Sequence, residues 1–478
     1  MSKVRVRYAP SPTGYLHIGG ARSALFNYLY AKKYNGDFVF RVEDTDIERN
    51  IEGAEESQYN DLVWLGVIPD ESPLNPVEKY APYRQTEKLE LYRQYAYKLV
   101  EMGYAYECFC TEDELAEMKE NQLASGVKSF KYNRHCLNLT KEEKEKYLAE
   151  GRKPSIRIKM EANVDLGFDD LVRGPVKFNS SDIGDFVILK SNGIPTYNFA
   201  VVIDDHIMEI THVLRGEEHL SNTPKQLQIY KYFGWEPPKF GHMTIIVNQN
   251  GKKLSKRDNN IIQFVSQYRK LGYLPEAILN FLLLLGWTPE NNKEIFTLDE
   301  AVKAFDPARL SSSPSMFDDS KLTWINSHYI KNLSDEKYFE FILPFLKKVE
   351  KLKDRDEEEL KNIALIYKEE ISYGEQIVEL VSQLFKDSYE LTDEEKEFVN
   401  SENSKLVCSL FAKKVENCEI SKDSLKALFK EIQNETGLKG KDLYMPIRLK
   451  LTGVEHGVEL YNIVRIIGKE EAIKRAIM

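Results

Sequence analysis

The sequence predicts a multidomain α/β protein whose C-terminal region is all-α. Val4, Val6 and Tyr8 alternate with arginines, which indicates a strand, and the turn at residues 9–14 leads into an apolar pattern with helical spacing. Strand, turn and helix in this order open a nucleotide-binding unit of the Rossmann type. Beyond about residue 325, Lys, Glu and Leu dominate and the helical period continues. The 478 residues also exceed the roughly 250–300 residues at which one hydrophobic core stops growing.

The remaining patterns predict that the α/β sheet is interrupted by an insertion and then resumes. Residues 84–102 carry apolar side chains on one helical side, which indicates a single amphipathic helix. The segment up to about residue 195 combines charged helices with a β-rich stretch and is interpreted as an inserted α/β unit. Further strands are predicted at residues 38–42, 155–159, 199–203 and 242–247, a charged helix near residues 52–65, and a connecting loop at residues 306–314.

Composition narrows the class of protein. Apolar residues make up 42% and charged residues 30%, as in globular proteins, and the net charge of −10 weakens any case for bulk attraction to nucleic acid. Five cysteines, a small and odd number, argue for a reducing compartment rather than a disulfide framework. No secretory signal is visible, and the most apolar run, residues 277–287, is shorter than the about 20 residues that span a bilayer. We therefore expect a cytoplasmic protein with no membrane partner.

Residues 10–20 form the first candidate ligand site. A helix N-terminus offers unpaired N–H groups and a partial positive charge to phosphate, and Gly19 and Gly20 let a ligand approach the backbone. His17 can donate a hydrogen bond to a phosphate oxygen. An ordinary helix start beside a surface histidine would explain residues 17–20 alone, but it is a poor explanation of the whole run from residue 7 to residue 20.

Residues 252–257, Lys-Lys-Leu-Ser-Lys-Arg, form the second candidate site. Five of these six side chains are polar and four are cations, which predicts a mobile anion-binding loop after Asn-Gln-Asn-Gly. Taken alone, the segment would be interpreted as a solvated basic loop. Its pairing with the first site, in this order along the chain, favours one ATP site built from both segments.

Together the two segments resemble the paired signatures of class I aminoacyl-tRNA synthetases, His-Ile-Gly-His and Lys-Met-Ser-Lys-Ser. Gly20 stands in place of the second histidine and Arg257 in place of the last serine. Glutaminyl-tRNA synthetases share both signatures but typically carry a β-barrel anticodon region, which the helical C-terminal region disfavours. The surrounding runs, which extend over essentially the whole chain, are similar to those of bacterial glutamyl-tRNA synthetases: residues 9–14, 40–46, 193–197, 215–219, 321–326 and 445–448.

The resemblance implies ATP-dependent attachment of glutamate to tRNA in two steps, formation of glutamyl-adenylate and transfer to the terminal adenosine. ATP would bind together with Mg²⁺. Because charge spreads over phosphate oxygens in the first step, positioning and charge stabilisation are the expected tasks of the site. The resemblance assigns them to His17, Lys253 and Lys256 as catalytic residues. It implies an ATP site of Pro10, His17, Gly19, Gly20, Lys253 and Lys256.

Arg7 ends the first predicted strand, where open α/β sheets bind ligands. An arginine in such a strand needs either a ligand carboxylate or a structural salt bridge, and its position leaves both open. The resemblance favours the substrate carboxylate and implies that Glu43 faces the substrate ammonium group. The implied glutamate site consists of Arg7, Ala9, Ser11, Glu43, Tyr197 and Arg215.

Other polar residues near these runs have less defined roles. Asp44 and Asp46 are expected to act as structural caps. Asp204 and Asp205 follow a predicted strand, so they either reach ATP or the tRNA end or form a plain turn. The remaining candidates, His206 and His219, are interpreted as structural.

Cys108, Cys110 and Cys136 are the candidate metal ligands. The resemblance suggests a structural zinc site of the form Cys-x-Cys and Cys-x-His in the inserted domain, but Asn138 occupies the histidine position. Zinc requires four tetrahedral ligands. Either His135 or an outside group completes a zinc site, or the three cysteines are reduced and bind no metal.

The resemblance also implies how the chain is divided. A catalytic domain in two halves, residues 1–90 and 196–250, would enclose an acceptor-end-binding domain, residues 91–195. A stem-contact domain with the mobile lysine-rich loop would follow at residues 251–325. The helical region of residues 326–478, in two subdomains, would bind the anticodon of the glutamate tRNA. A monomer is expected.

Arginine is absent between Arg355 and Arg448. Discriminating relatives place an arginine on an early anticodon-domain helix, which the alignment predicts at residues 366–377 of this chain. Its absence predicts that the enzyme also glutamylates the glutamine tRNA, whose product a partner amidotransferase would amidate. The alternatives are a lysine that reads the same base, or a different alignment of the helix.

Overall fold

The computed structural model describes residues 3–127, 130–254 and 262–478. The chain separates into two compact units, one of Met1–Arg269 and Pro275–Asp319 and the other of Lys270–Leu274 and Ser320–Met478. The first unit contains all the strands of the described residues and the second is helical, so the predicted fold class is confirmed. The finer division into five parts stays a prediction. Among the described residues, no helix is long and apolar enough to cross a membrane.

The strands are β1 (Arg5–Tyr8), β2 (Asp37–Phe40), β3 (Ala105–Cys108), β4 (Ser155–Ile158), β5 (Phe168–Asp170), β6 (Gly174–Val176), β7 (Val187–Leu189), β8 (His212–Gly216), β9 (Lys239–Met243), β10 (Ile246–Val247) and β11 (Ser315–Met316). The helices up to residue 304 are α1 (Ile18–Lys33), α2 (Ala54–Trp64), α3 (Leu89–Glu101), α4 (Glu112–Ala124), α5 (Lys141–Ala149), α6 (Tyr197–Ile207), α7 (Thr223–Phe233), α8 (Val265–Leu271), α9 (Pro275–Leu284) and α10 (Leu298–Ala304). The later helices are α11 (Asp319–Lys331), α12 (Asp335–Leu346), α13 (Glu357–Tyr367), α14 (Gln376–Gln383), α15 (Asp393–Asn400), α16 (Glu402–Val415), α17 (Lys422–Thr436), α18 (Lys441–Thr452), α19 (Leu460–Ile467) and α20 (Lys469–Ile477).

Two parallel strand pairs position the candidate site. β1 pairs with β2, and β8 pairs with β9, with Arg215 opposite His242. The N–H of Thr211, the residue before β8, donates to the carbonyl of Arg5 at 2.9 Å. The second half of the α/β region therefore returns beside the first strand, as the interrupted-sheet interpretation requires, and brings Arg215 towards Arg7.

The predicted strand at residues 199–203 is wrong, because these residues lie in α6. All residues from Phe199 to Asp205 are buried, so no polar side of the helix reveals its period. A short continuous apolar run cannot distinguish a buried helix from a buried strand. Asp204 and Asp205 consequently lie on a buried helix, neither after a strand nor in a turn.

Three other boundaries differ from the predictions. The single helix of residues 84–102 is a 3₁₀ turn, Gln85–Lys88, followed by α3. The strand of residues 242–247 is divided between β9 and β10. The anticodon-region helix of residues 366–377 is wrong as well, because α13 ends at Tyr367 and α14 begins at Gln376. Between the two helices, the N–H groups of Gly374 and Glu375 donate to the carbonyls of Gly272 and Leu271, at 3.0 and 2.9 Å, and not to carbonyls one turn earlier.

Part of the predicted insertion shares a core with the helices that follow it, whereas a second hydrophobic cluster, around Tyr106, Cys108, Tyr132 and Cys136, lies within residues 91–195 alone. Tyr92 of α3 and Ile156 of β4 share one hydrophobic cluster with Phe199 of α6 and Ile229 of α7. These side chains are fully buried. The β-rich part of residues 91–195 is therefore anchored on the two helices that flank the candidate site.

Candidate functional site

A cavity of about 330 Å³ opens at the ends of β1 and β8. We call it the first cavity. All six residues predicted to bind glutamate line it, together with Pro10, Gly19 and Gly20 of the predicted ATP site. His219, interpreted from the sequence as structural, also lines it, as do five residues to which the sequence analysis gave no site role: Tyr8, Ser23, Leu214, Gly216 and Glu218. The lining residues are Arg7, Tyr8, Ala9, Pro10, Ser11, Gly19, Gly20, Ser23, Glu43, Tyr197, Leu214, Arg215, Gly216, Glu218 and His219.

A second cavity of about 200 Å³ adjoins the first. The two cavities share Gly19, Gly20, Ser23, Gly216 and Glu218, so the N-terminal turn of α1 contributes to both. His17 of the first signature and Lys253 of the second signature both line the second cavity. Lys256 and Arg257 lie outside the described residues. The other lining residues are Arg22, Thr244, Ile245, Ile246 and Leu254.

His17 caps helix α1 through its ring. Its Nδ1 accepts the backbone N–H of Gly19 at 3.0 Å, and its Nε2 lies 3.3 Å from Oε1 of Gln263. Because Nδ1 is an acceptor here, the proton of a neutral ring is on Nε2. His17 therefore points a donor away from the helix terminus, while the Gly19 and Gly20 backbone borders both cavities.

Gly20 lies against the phenol of Tyr8. A Cβ at position 20 would lie 2.6 Å from the Tyr8 hydroxyl oxygen and 3.4 Å from Cδ1 of Leu16. Real Cβ atoms do not approach an oxygen so closely, so the hydroxyl occupies the space into which a side chain would grow. This contact gives a steric reason why glycine replaces the second histidine of the generic signature.

A buried ionic network underlies the first cavity. Arg7 donates from Nε and Nη2 to the two carboxylate oxygens of Asp205, at 3.2 and 3.3 Å. Arg41 donates to Asp205 at 2.7 Å and to Glu43 at 3.0 Å. Burial opposes ionisation of Asp205, but Arg7 and Arg41 outweigh it and lower the pKa of that carboxyl. Of the two roles considered for Arg7, the structural salt bridge is therefore present, and Arg7 also borders the cavity.

Asp204 completes this network from the same helix. Its carboxylate accepts hydrogen bonds from Lys88 at 2.5 Å, from the Tyr92 hydroxyl at 2.8 Å and from Gln85 at 2.8 Å, and it lies 3.6 Å from Nε of Arg41. Residue 204 is fully buried. The two aspartates thus hold the arginines and do not border either cavity.

Arg215 differs from Arg7, Arg41 and Lys88, the buried cations of the network beside the first cavity, because its hydrogen-bond partners are neutral. Its Nε contacts His242 at 3.1 Å, and its Nη2 donates to Thr223 at 2.8 Å and to Gln226 at 2.9 Å. Its Nη1 lies 3.4 Å from the Tyr197 hydroxyl. Within the described residues, no carboxylate lies at ion-pair distance from this guanidinium, although only 6% of its surface is exposed. Burial lowers its pKa from the ordinary arginine value.

Three further residues considered in the sequence analysis, His219, His206 and Asp44, have different environments. Nδ1 of His219 lies 3.1 Å from the Tyr197 hydroxyl, and burial lowers the pKa of this histidine to about 4. His219 therefore lines the first cavity, and the structural role expected for it stays a prediction. His206 stacks on Trp235 with a centroid separation of 3.6 Å, away from both cavities. Asp44 accepts the N–H of Thr86 at 2.9 Å, which is a structural contact as expected.

The three candidate metal ligands converge in a compact cluster. Their Sγ atoms all lie within 4.8 Å of one another, and those of Cys110 and Cys136 are 3.6 Å apart. Sulfur atoms on one tetrahedral zinc, at about 2.3 Å from the metal, would be about 3.8 Å apart. Hydrogen bonds among these thiols lower the pKa of Cys108 and raise the pKa of Cys110, so Cys108 is the thiol of this pair that ionises first. The spacing and chemistry of these donors therefore fit zinc.

The fourth group near these thiols is Tyr132. Its hydroxyl oxygen lies 3.4 Å from Sγ of Cys108 and 3.2 Å from Sγ of Cys110, and it accepts the N–H of Cys136 at 3.0 Å. His135 is exposed and is not part of the cluster that the described residues form. Tyr132 is therefore the candidate for the outside group that would complete a zinc site. It was missed in the sequence analysis because only Cys and His were considered as ligands.

A third cavity, of about 420 Å³, lies within the second unit. Three cations and three aromatic rings border it, including Arg448, the first arginine after the gap that begins beyond Arg355. Arg448 donates from Nη2 to the carbonyl of Val458 at 2.9 Å. The other lining residues are Lys422, Leu425, Lys426, Phe429, Tyr444, Glu459, Leu460 and Tyr461.

Comparisons with known proteins bear on both units. Residues 3–324 match the family model of the catalytic domain of class I tRNA synthetases (E and Q), and residues 337–476 match a model of an anticodon binding domain. The chain is similar to the glutamate–tRNA ligase of Geobacillus thermodenitrificans, with 54% identity over 477 residues, 99% of this chain and 97% of that protein. It is also similar to the glutamate–tRNA ligase of Bacillus subtilis, with 51% identity over 479 residues and 99% of both chains.

The chain is also similar to solved structures of glutamate–tRNA ligases. A crystal structure of a glutamate tRNA ligase from Elizabethkingia meningosepticum, in complex with its amino acid, superposes with a TM-score of 0.89 at 35% identity. The superposition covers 99% of this chain and 98% of that chain. A glutamate–tRNA synthetase from Elizabethkingia anophelis superposes equally well, over the full length of both chains.

Proposed function

Because the chain belongs to the bacterial glutamate–tRNA ligases, class I aminoacyl-tRNA synthetases that attach glutamate to tRNA at the expense of ATP, we propose a role for each cavity in that reaction. The first cavity binds glutamate and the second binds the phosphates of ATP. The shared turn at Gly19 and Gly20 is where the glutamate carboxylate meets the α-phosphate. Attack by the α-carboxylate there forms glutamyl-adenylate and releases pyrophosphate. A hydroxyl of the terminal adenosine of tRNA then takes the glutamyl group and AMP leaves.

The observation that carries this proposal is the uncompensated charge of Arg215. The buried arginines at positions 7 and 41 and the lysine at position 88 are paired with Asp204, Asp205 and Glu43. Arg215 has only neutral partners among the described residues. A buried cation without an anion is strongly unfavourable. A ligand that brings one carboxylate to this point is therefore favoured, while the neutral amide of glutamine would leave the charge uncompensated.

The other lining residues fit the rest of the glutamate molecule. Glu43, beside Arg41, supplies a negative charge for the ammonium group, and Tyr197 supplies a hydroxyl next to Arg215. Arg7 borders the cavity, and Asp205 holds its guanidinium group by accepting from Nε and Nη2. Ala9 and Ser11 line the wall on the way towards the helix N-terminus.

ATP enters the second cavity as its Mg²⁺ complex. His17, the N-terminal turn of α1 and Lys253 line this cavity, and they are the groups proposed to contact phosphate oxygens. Lys256, which lies outside the described residues, is proposed to join them. Preorganised donors of this kind stabilise the charge that develops in the transition state.

Glutamate-dependent ATP–pyrophosphate exchange, with and without tRNA, tests these assignments. Arg215→Gln keeps a polar side chain but removes the charge, and it should raise KM for glutamate by about 100-fold or more, which is about 2.7 kcal/mol. KM for ATP should stay within twofold. Lys79→Gln, a change of an exposed cation remote from the cavity, is the control. An unchanged KM for glutamate in Arg215→Gln would refute the assignment of the first cavity.

For the tRNA we propose the domain roles predicted from the sequence. Residues 91–195 hold the acceptor end, residues 251–325 contact the stem, and residues 326–478 bind the anticodon. The third cavity suits an unstacked base, since aromatic rings and cations bind bases by stacking and charge. Arg448 is its candidate reader. The working state is a monomer.

We further propose that the glutamine tRNA is a second substrate. The support is the absence of arginine over residues 356–447, and a partner amidotransferase would then convert the product. Charging of both purified tRNAs decides the question. A preference of 10³ or more for the glutamate tRNA, about 4 kcal/mol, would refute it. None of the five cysteines is in a disulfide, which fits a reducing compartment, and we place the enzyme in the cytoplasm.

A further inference from the structure

Arg215 is the first of three buried groups joined by hydrogen bonds. Nε of Arg215 lies 3.1 Å from Nε2 of His242, and Nδ1 of His242 lies 2.6 Å from Oδ2 of Asp170. The exposed fractions of these residues are 6%, 0% and 5%. Asp170 borders neither cavity described for the active site. The three residues come from β8, β9 and β5, so distant parts of the sequence meet in this chain.

The hydrogen bonds determine the tautomer of His242. A guanidinium nitrogen can only donate, so Nε2 of His242 accepts and carries no proton. Its Nδ1 therefore carries the proton and donates it to Asp170. The Thr223 hydroxyl accepts from Arg215 at 2.8 Å and lies 3.0 Å from the same Nε2. Burial favours this neutral ring, because it lowers the pKa of His242.

Asp170 is itself held firmly. Its carboxylate accepts the backbone N–H groups of Val172 at 2.9 Å, Arg173 at 3.0 Å and His242 at 3.1 Å. These contacts fix the turn between β5 and β6 against β9. Arg173 also pairs with Glu217, next to the end of β8. Asp170 thus has little freedom to leave the imidazole.

A neutral acceptor has a particular consequence for Arg215. It fixes the plane of the guanidinium through Nε without cancelling its positive charge, while Thr223 and Gln226 fix Nη2. Nη1, beside the Tyr197 hydroxyl, is left towards the cavity. A carboxylate in the place of His242 would hold the arginine equally well but would neutralise it, and selectivity for an acid over an amide would fall.

We propose that Asp170 and His242 are positioning residues that orient Arg215 and keep its charge available for the substrate carboxylate. Asp170 holds the proton of His242 on Nδ1, and the unprotonated Nε2 of His242 can then accept from Nε of Arg215. The predicted insertion of residues 91–195 would in this way take part in selecting the amino acid, although its proposed ligand is the tRNA acceptor end. This inference rests on the proposed role of Arg215.

The test compares Asp170→Asn, His242→Phe and Arg215→Gln by pyrophosphate exchange in the full-length enzyme. The amide of Asp170→Asn can donate to Nδ1, which would place the proton on Nε2 and oppose the Arg215 donor. We expect KM for glutamate to rise 10- to 100-fold in both positioning variants. KM for ATP should stay within twofold, which also reports that the protein is folded. The ratio of kcat/KM for glutamate to that for glutamine should fall by a similar factor.

Combination with Arg215→Gln separates positioning from general structural damage. If Asp170 acts through Arg215, adding Asp170→Asn to Arg215→Gln should change kcat/KM for glutamate less than threefold. Three outcomes would overturn the inference alone. The losses of kcat/KM in the double variant could be fully additive, or the positioning variants could raise KM for glutamate and KM for ATP equally. KM for glutamate could also stay unchanged in Asp170→Asn and His242→Phe while Arg215→Gln raises it. An unchanged KM in Arg215→Gln would overturn the cavity assignment and this inference with it. His242→Gln, which retains an acceptor, should recover part of the loss seen in His242→Phe.

Discussion

Arg7 and Asp205 form a two-point ion pair, with Nε 3.2 Å from Oδ1 and Nη2 3.3 Å from Oδ2. The exposed fractions of the two residues are 5% and 4%. Asp205 also accepts from Arg41, so one carboxylate orients the arginine at the cavity wall and the arginine behind it. The position of Arg7 relative to a bound ligand therefore depends on a residue almost 200 positions later in the chain.

Replacement of Asp205 by asparagine should destabilise the protein and disorder the first cavity. Breaking a buried ion pair by removing one charge costs about 3–5 kcal/mol, because the partner is left uncompensated. We expect a loss of this size in urea unfolding, together with a higher KM for glutamate. Glu209→Gln, which breaks the exposed pair with Lys79, should leave the unfolding midpoint unchanged. A loss below 1 kcal/mol in Asp205→Asn would contradict the prediction.

Gly20→Ala should impair the enzyme through its contact with Tyr8. The added Cβ would lie 2.6 Å from the hydroxyl oxygen, and such overpacking typically costs about 1–3 kcal/mol. We expect kcat/KM to fall about tenfold or more in pyrophosphate exchange. In a Tyr8→Phe background the same change should be tolerated, since the oxygen is gone and alanine favours a helix by about 0.5–1 kcal/mol over glycine.

Gly14→Ala is the matched control for this experiment. A Cβ at Gly14 would meet nothing within 4 Å, so we expect little change in activity. Equal losses for Gly20→Ala with tyrosine or phenylalanine at position 8 would show that the hydroxyl is not the cause.

The sequence was sufficient for those parts of the site that depend on local patterns. Strand, turn and helix around His17 were predictable because residues 4–8 alternate, two prolines and a glycine in residues 9–14 end the strand in a turn, and the apolar residues that follow have helical spacing. All six predicted glutamate residues line one cavity, but their assignment came from a family resemblance and not from spacing alone. The identity of their buried partners was not predictable, because Asp205, His242 and Asp170 approach only through tertiary packing.

Two predicted elements failed because tertiary packing, which a short window of sequence does not show, determines the local structure. In α6 every residue from Phe199 to Asp205 is buried, so the alternation of apolar and polar residues that distinguishes helix from strand is missing. In the anticodon region, the helical pattern of residues 366–377 is interrupted where the N–H of Gly374 donates to the carbonyl of Gly272, about one hundred positions earlier. Neither a buried environment nor a hydrogen bond to a distant carbonyl can be read from the residues in a short window.

The cysteine cluster predicts one zinc per chain in purified enzyme. Cys136→Ser should reduce the zinc content well below one per chain and lower the thermal midpoint, because a structural metal contributes directly to folding. Tyr132→Phe should weaken retention against a chelator, whereas His135→Ala should not. Cys418→Ser, a change of a thiol outside the cluster, is the control. Metal analysis that finds well under one zinc per chain in the unmodified enzyme would refute the site.

His219 should make the protein less stable as the pH falls. Burial lowers its pKa from 6.5 to about 4, so between these values the unfolded chain binds a proton that the folded protein does not. The contribution is fully present above pH 6.5 and is lost as the pH falls towards 4. At pH 5 the expected loss from this group is about 2 kcal/mol relative to pH 7.

Urea unfolding at pH 7 and pH 5 measures this effect. The difference between the two unfolding free energies should be about 2 kcal/mol smaller in His219→Gln than in the unmodified enzyme. Tyr197→Phe removes the hydroxyl next to Nδ1 but leaves the ring buried, so it should retain most of the pH dependence, since burial is the principal cause of the shift. If His219→Gln and the unmodified enzyme lose the same free energy, the titration of another group must be responsible.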